Sequence, residues 1–123
     1  MKKLLVVDDE SIVRKALASQ FDAAEVEVLT AEDGEEGLEI ALREKPDLMM
    51  VDLIMQKMDG LAMLKELRED AWGKDARVIV LSNLGDEEKV SAADVFGVEE
   101  YLVKVNWNVT DVVAKIKKKL GVE

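Results

Sequence analysis

The chain has 123 residues, a length that suits one domain with its own hydrophobic core and leaves no room for a second. Its 27 acidic and 17 basic residues give a formal charge of −10, which argues against nucleic acid or a membrane surface as a direct partner. Histidine and cysteine are both absent, which excludes a Ser-His-Asp triad, a histidine-ligated zinc, a phosphohistidine donor and disulfide bonds.

Five short apolar runs predict five β-strands. The first, third and fourth runs are apolar at every position, which is typical of strands covered on both faces of a sheet. The second run contains Glu27 and the fifth is short, as edge strands often are. In chain order, the predicted strands are residues 4–7, 26–29, 48–51, 78–81 and 101–103.

Amphipathic stretches between the runs predict five helices. The first carries an apolar stripe at helical spacing, made of Ile12, Ala16, Leu17 and Phe21. Each of the other four begins with a side chain that can cap a helix N-terminus, and these are Asp33, Asp59, Asp86 and Asn108. Pro46 marks the end of the second helix.

The alternation of strands and helices indicates parallel βαβ units with right-handed crossovers. Five strands are too few for a closed barrel, so we predict an open, doubly wound α/β sheet in one domain over residues 1–123. No apolar run approaches the ~18 residues that a membrane span needs, and the run after Met1-Lys2-Lys3 is too short for a signal peptide. We therefore expect a cytoplasmic protein.

Polar side chains follow four of the five predicted strands. Asp8 and Asp9 follow the first, Asp52 the third, Ser82 the fourth and Lys104 the fifth. In such sheets these positions meet beyond the carboxyl ends of the strands. Three close carboxylates repel one another, and Mg²⁺, which prefers carboxylate oxygens and leaves positions open for phosphate oxygens, relieves the repulsion. The sequence therefore predicts a magnesium-binding pocket in which the Asp52 carboxylate accepts a phosphoryl group.

Each of these residues alone has a plainer interpretation. An Asp-Asp pair after a strand is often a helix cap, a single Asp or Ser is often a turn residue, and a lysine is usually a solvated surface residue. The combination of all five, each at the end of a predicted strand, favours the functional interpretation.

These residues lie in segments that resemble the receiver domains of two-component response regulators. The matching segments are LLVVDDE (4–10), VDLIM (51–55), MDG (58–60), LS (81–82) and YLVK (101–104). The resemblance covers the whole chain and implies a flavodoxin-like strand order of 2-1-3-4-5 with helices on both faces. The resemblance is to stand-alone, chemotaxis-type receivers. We expect no output domain within residues 1–123, and the chain would either work alone or be a piece of a longer protein.

The resemblance also implies how a phosphoryl group is accepted. Asp52 would take it from the phosphohistidine of a histidine kinase or phosphotransfer protein. Asp9, Asp52 and the backbone carbonyl of Ile54 would bind Mg²⁺ directly, and Asp8 would act largely through water. Such a domain catalyses only its own phosphorylation and dephosphorylation and is not an enzyme in the ordinary sense.

The same resemblance implies a conformational switch. Ser82 and Lys104 would bind the phosphoryl group, and Tyr101 would turn inward when Ser82 moves. The output would be a changed surface on the fourth helix, fifth strand and fifth helix, read by a downstream protein partner that the sequence does not identify. A monomer, or a weak dimer through that surface, is expected.

The sequence departs from the family pattern at three positions. Gln56 stands where the loop after the third strand usually has proline, and Asn83 stands where a small residue usually follows Ser82. Asn83 could narrow access to the pocket or hydrogen-bond the phosphoryl group. Val105 replaces a proline whose bond to the preceding lysine is typically cis in the family, so this loop is expected to be either trans and shifted, or strained.

Two other functions remain open on the sequence. The departures are compatible with a receiver-fold interaction module that does not signal through phosphate. An aspartyl-phosphate phosphatase of the haloacid-dehalogenase type is disfavoured, because it needs a second Asp two residues after the nucleophile, where this chain has Ile54. A dinucleotide-binding loop is disfavoured too, because the loop after the first strand is acidic and has no glycine.

Overall fold

The structure is a computed structural model, and it describes residues 1–83 and 87–122. Strands and helices alternate along the chain. The strands are β1 (Lys2–Val7), β2 (Val26–Ala31), β3 (Leu48–Asp52), β4 (Val78–Ser82) and β5 (Glu100–Val103). The helices are α1 (Ser11–Ala18), α2 (Gly34–Glu44), α3 (Gly60–Glu69), α4 (Glu87–Asp94) and α5 (Val109–Leu120). Among the described residues, no helix has both the length and the apolar character to cross a bilayer.

All five strands are parallel and form one sheet in the order β2-β1-β3-β4-β5, which confirms the predicted topology. The pairing register aligns the strand ends at one edge. Val7, the last residue of β1, lies opposite Val51 of β3, and Asp52 lies opposite Leu81 of β4. Ser82 in turn lies opposite Val103 of β5. The residues that follow β1, β3, β4 and β5 therefore emerge at a common edge.

The sheet has a hydrophobic core on each face, because alternate strand residues point to opposite sides. One core packs the strands against α2, α3 and α4, and helix residues such as Ala41, Leu64 and Ala93 are buried in it. The other packs them against α1 and α5, with Leu17 and Ile116 among its buried residues. The predicted doubly wound arrangement is therefore confirmed.

The apolar stripe predicted for α1 is only partly correct. Leu17 is buried as expected, but the helix ends at Ala18, so Phe21 packs into the core from the following turn. Ile12 is 80% exposed. Helical periodicity places residues on one face of a helix, but it does not say how far the sheet beneath that face extends.

Three of the four predicted N-caps are confirmed. Asp33 accepts a hydrogen bond from a backbone N–H three residues further on, as does Asp59, and Asn108 accepts two. The fourth, Asp86, lies outside the described residues. The second helix ends just before Pro46, and its C-cap is Lys45 in the left-handed region with φ of 49°.

Arg68, near the end of α3, connects two loops on one side of the molecule. Its guanidinium donates hydrogen bonds to the carbonyls of Gly73 and Ala76, each at 2.7 Å, in the connection to β4. It also donates to the carbonyls of Phe96 and Gly97, at 2.7 and 3.1 Å, directly after α4. One side chain thus fixes the C-terminal end of α4 to α3.

Replacing Arg68 with alanine should lower the free energy of unfolding by about 2–4 kcal/mol, because four carbonyls lose their donor. Urea unfolding measures this change. The control is Arg43→Ala on α2, where the arginine is 59% exposed and makes surface ion pairs, which should change stability by less than about 1 kcal/mol. Equal effects of the two substitutions would contradict the structural role assigned to Arg68.

Candidate functional site

Three carboxylates meet at the carboxyl edge of the sheet. Asp8 follows β1 directly and is fully buried, and Asp52 ends β3 and is 2% exposed. Asp9 is exposed. One oxygen from each of the three lies within 4.8 Å of the others. The convergence predicted from the strand ends is therefore present in the structure, and it follows from the adjacency of β1 and β3.

Lys104 enters this cluster from the end of β5. Its ammonium nitrogen lies 2.9 Å from Oδ2 of Asp8 and 2.9 Å from Oδ2 of Asp52, and it donates a hydrogen bond to Asp52. It is also 3.7 Å from Oε1 of Glu10, a contact that the sequence did not predict. No cis peptide bond occurs among the described residues, and Lys104 begins a short 3-10 helix. The valine at position 105 therefore does not prevent the lysine from reaching the carboxylates.

The buried carboxylate of Asp8 is only partly satisfied. Its Oδ1 accepts a hydrogen bond from the backbone N–H of Glu10 at 2.9 Å. Its Oδ2 has the ion pair with Lys104 but accepts no well-formed hydrogen bond from the residues that the structure describes. A buried carboxylate oxygen in this condition, beside two further carboxylates, suits a hard divalent cation such as Mg²⁺.

The environment changes the acidity of Asp52. The pKa of Asp52 is raised to about 6, because burial, the largest cause, and the negative charge of Asp8 together outweigh the opposing hydrogen bond from Lys104. For Lys104, burial disfavours the charged form, but the two carboxylates outweigh it, so its pKa is raised. Lys104 is therefore a permanent cation in the site.

Ile54 lies two residues after Asp52, and Ser82 is the last residue of the neighbouring strand β4. The backbone N–H of Ile54 donates to Oδ1 of Asp52 at 3.2 Å, so the start of the loop after β3 is turned toward the acidic cluster. Ser82 is 2% exposed at the end of β4 and lines a cavity of about 370 Å³. Asn83, which is exposed, lines the same cavity.

Tyr101 also lines this cavity, but its hydroxyl is directed to α4. It donates a hydrogen bond to Oδ1 of Asp94 at 3.0 Å. Burial and the adjacent carboxylate raise the pKa of Tyr101 to about 12. The structure thus brings Asp8, Asp9, Asp52 and Lys104 into one cluster and places Ser82 and Tyr101 on a neighbouring cavity.

Arg14 of α1 contacts the backbone of the acidic cluster, and the sequence did not predict this contact. It donates a hydrogen bond to the backbone carbonyl of Asp8 at 2.7 Å and lies 3.6 Å from a carboxylate oxygen of Glu32. Arg14 is the fourth of the eight residues of α1, and no local pattern around it indicates a contact with the backbone that precedes the helix.

The loop after β3 carries the first departure from the family pattern. Gln56 and Lys57 line a polar crevice of about 220 Å³ together with Asp9. Lys57 has φ of 62°, a left-handed backbone conformation that is uncommon for residues other than glycine. Its ammonium lies 3.7 Å from Oδ2 of Asp33. The loop without proline is therefore tied to the start of α2.

A family model for the response regulator receiver domain matches residues 4–117. The chain belongs to the response regulator receiver family. The sequence of this receiver domain is 39% identical over 104 residues to that of the probable transcriptional regulator ycf27 of Cyanophora paradoxa. The match covers 84% of this chain and 42% of that protein. The chain spans about two fifths of the length of the curated relatives that it matches first.

Solved receiver structures agree with this assignment. The REC domain of AraT, a response regulator from Geobacillus stearothermophilus, has a TM-score of 0.78 and 38% identity, with 98% of this chain and 95% of that chain covered. The chemotaxis response regulator CheY4 of Vibrio cholerae has a TM-score of 0.85 and 28% identity, with 98% and 99% covered. The flavodoxin-like fold and the family resemblance are both confirmed.

Receiver domains are the signalling domains of two-component systems and not classical enzymes. They generally bind Mg²⁺ at an acidic pocket, and this chain has a cluster of three aspartates of that kind. Response regulators typically receive phosphoryl groups from histidine kinases and act on downstream partners.

The raised pKa of Asp52 predicts a pH dependence of stability in the absence of divalent cations. In the folded chain the pKa of about 6 lies above the ordinary value of 3.8, so the folded chain binds this proton more tightly. The contribution of Asp52 is therefore fully present below about pH 4 and is lost as the pH rises to about 6. Relative to wild type, Asp52→Asn should gain stability across this range in urea unfolding with a chelator present.

The control is Asp8→Asn, which removes the nearby negative charge and should lower the pKa of Asp52. Carboxyl ¹³C chemical shifts recorded against pH measure the titration of Asp52 directly in the wild-type chain and in Asp8→Asn. An Asp52 carboxyl that titrates near pH 4 in the metal-free wild-type chain would show that burial does not perturb it as the structure implies.

Proposed function

We propose that this receiver domain is a phosphorylation-dependent switch, in which Asp52 accepts a phosphoryl group from a histidine kinase or phosphotransfer protein. The observation that carries the proposal is the contact of Lys104 with both Asp8 and Asp52 inside a cluster of three carboxylates. The ends of three strands, β1, β3 and β5, bring these groups together, and no core-packing need accounts for so much buried charge.

Asp8, Asp9 and Asp52 would hold Mg²⁺, with the backbone carbonyl of Ile54 as a further ligand. The support is the mutual approach of the carboxylate oxygens and the incompletely satisfied Oδ2 of Asp8. When bound, Mg²⁺ neutralises the charge of the carboxylates and of the incoming phosphoryl oxygens.

Asp52 is the nucleophile in this proposal. One of its carboxylate oxygens attacks phosphorus, an O–P bond forms, and the bond from phosphorus to the donor nitrogen breaks as the imidazole keeps the electron pair. Lys104, already 2.9 Å from Asp52, supplies a cation for the phosphoryl oxygens. Ser82, buried at the end of the adjacent strand, supplies a hydroxyl donor on the cavity side.

The new phosphoryl group carries about −1.5 to −2 charges at neutral pH and strong acceptor oxygens. It would draw Lys104 and Ser82 toward it. Movement of Ser82 would enlarge the cavity that it shares with Tyr101, and the tyrosine ring would turn inward. The surface formed by α4, β5 and α5 would then differ between the two states and would be the output face for a downstream protein or a weak dimer. We propose residues 1–123 as one receiver unit.

The alternative functions gain no specific support. A receiver-fold module independent of phosphate would not need Lys104 and three carboxylates in contact, and the departures at Gln56, Asn83 and Val105 leave that contact intact. A phosphatase of the haloacid-dehalogenase type would need an acid at position 54, where the side chain is an isoleucine.

Incubation with acetyl phosphate and Mg²⁺ should add one phosphoryl group to the wild-type chain, as measured by intact mass. The Asp52→Asn chain should gain none, because an amide oxygen does not attack phosphorus effectively. A chelator should abolish the gain in the wild type. Asp9→Asn should slow it at least about 10-fold through weaker metal binding.

The control is Asp22→Asn, which removes an exposed aspartate before β2 at the opposite edge of the sheet. This chain should be phosphorylated like wild type. Phosphoryl transfer to Asp52→Asn at the wild-type rate would mean that another residue is the acceptor and would overturn the proposal.

Magnesium binding is a separate prediction that needs no phosphoryl donor. Calorimetric titration with Mg²⁺ should show one site in the wild type, with affinity lowered about 10-fold or more in Asp8→Asn and in Asp9→Asn. Asp22→Asn should bind like wild type. Equal affinities in all four chains would place the ion outside the three-carboxylate cluster.

A further inference from the structure

We propose that Asp94 is a positioning residue that holds Tyr101 in its outward orientation and so sets how readily the switch turns on. This inference rests on the function proposed above, and it adds a contact that opposes the inward rotation of Tyr101. The observation behind it is a contact between α4 and β5: the Tyr101 hydroxyl donates a hydrogen bond to Oδ1 of Asp94 at 3.0 Å. No spacing in the sequence predicts this contact.

The cavity beside Tyr101 provides space for a second, inward orientation of its ring. The cavity has a volume of about 370 Å³, and its lining includes Ser82, Tyr101 and the apolar side chains of Val90 and Val103. Since a cavity of about 150 Å³ holds a benzene ring, the phenol ring fits without displacing the core. The hydrogen bond to Asp94 therefore decides between two sterically allowed positions.

Asp94 is mounted on a fixed part of the molecule. It is the last residue of α4, and its backbone carbonyl accepts a hydrogen bond from the N–H of Gly97 at 3.2 Å. Arg68 in turn holds the carbonyls of Phe96 and Gly97. The carboxylate that accepts the hydrogen bond from Tyr101 is thus anchored to α3 through this turn. Because the carboxylate is held in place, the hydrogen bond restrains the tyrosine ring.

The position of Asp94 is unfavourable for the helix that carries it. A negative side chain at a helix C-terminus opposes the helix dipole, and the last turn of α4 has no basic residue to compensate. Removal of Asp94 should therefore leave α4 as stable or more stable. A purely structural role and a restraining role thus predict different outcomes, because only the second alters the equilibrium of Tyr101.

The size of the effect follows from the exposure of the bond. A solvent-accessible hydrogen bond contributes toward the low end of the usual range, so loss of this one should shift the inward-to-outward equilibrium of Tyr101 by about 2- to 5-fold. By linkage, the apparent affinity for a phosphoryl mimic should rise by up to the same factor.

The experiment titrates beryllium fluoride, a stable mimic of an acyl phosphate, into the full chain at fixed Mg²⁺ concentration. Tyr101 is the only tyrosine in the chain, so ring-¹³C-labelled tyrosine gives one set of NMR signals that reports its environment. We expect Asp94→Ala to lower the half-saturating mimic concentration by up to about 2- to 5-fold and to move the resting signal toward the saturated one. Asp94→Asn, whose amide oxygen still accepts the bond, should restore most of the wild-type behaviour.

Two controls separate this role from a general effect of charge. Glu88→Ala removes an exposed acidic residue from the first turn of the same helix and should titrate like wild type, with tryptophan fluorescence as a common readout. In a Tyr101→Phe background, which lacks the hydroxyl, Asp94→Ala should have no further effect on the half-saturating concentration.

The inference is overturned if Asp94→Ala titrates like wild type, if Glu88→Ala matches it, or if its effect persists in the Tyr101→Phe background. A wild-type chain that neither gains a phosphoryl group nor binds the mimic would overturn the proposed function, and the restraint with it. A wild-type chain that responds normally while Asp94→Ala is indistinguishable from it removes only the restraint.

Discussion

The contact between Lys104 and the carboxylates of Asp8 and Asp52 is the interaction on which the proposed site depends. Three negative groups at one sheet edge repel one another, and burial of two of them increases that repulsion. The lysine offsets part of this charge in the structure as it stands. In the proposed function, a divalent cation and a phosphoryl group bind there because the arrangement is only partly neutralised.

This arrangement couples binding to stability. Burial, together with the negative charge of Asp8, favours a proton on Asp52, so the folded chain binds this proton more tightly than the unfolded chain does. In the proposed function, protons, Lys104 and Mg²⁺ compete for the same carboxylate oxygens, so binding of the metal ion depends on pH.

Two charged helix residues connect the strand ends to the helices that pack on the sheet. Arg14 of α1 donates a hydrogen bond to the carbonyl of Asp8, and Asp94 at the end of α4 accepts one from the hydroxyl of Tyr101. Asp94 opposes the dipole of its own helix, and the tertiary contact with Tyr101 offsets that cost.

The sequence by itself determined the number and type of the strands, the parallel α/β class, three N-caps and the acidic and basic residues at the strand ends. These depend on short-range periodicity and on side chains that directly follow a strand. Only the tertiary structure decided that Lys104 reaches two carboxylates despite Val105, that Ile12 is exposed, and that Asp94 meets Tyr101. Those contacts join different elements, and their distances depend on how the helices pack on the sheet, which no local pattern encodes.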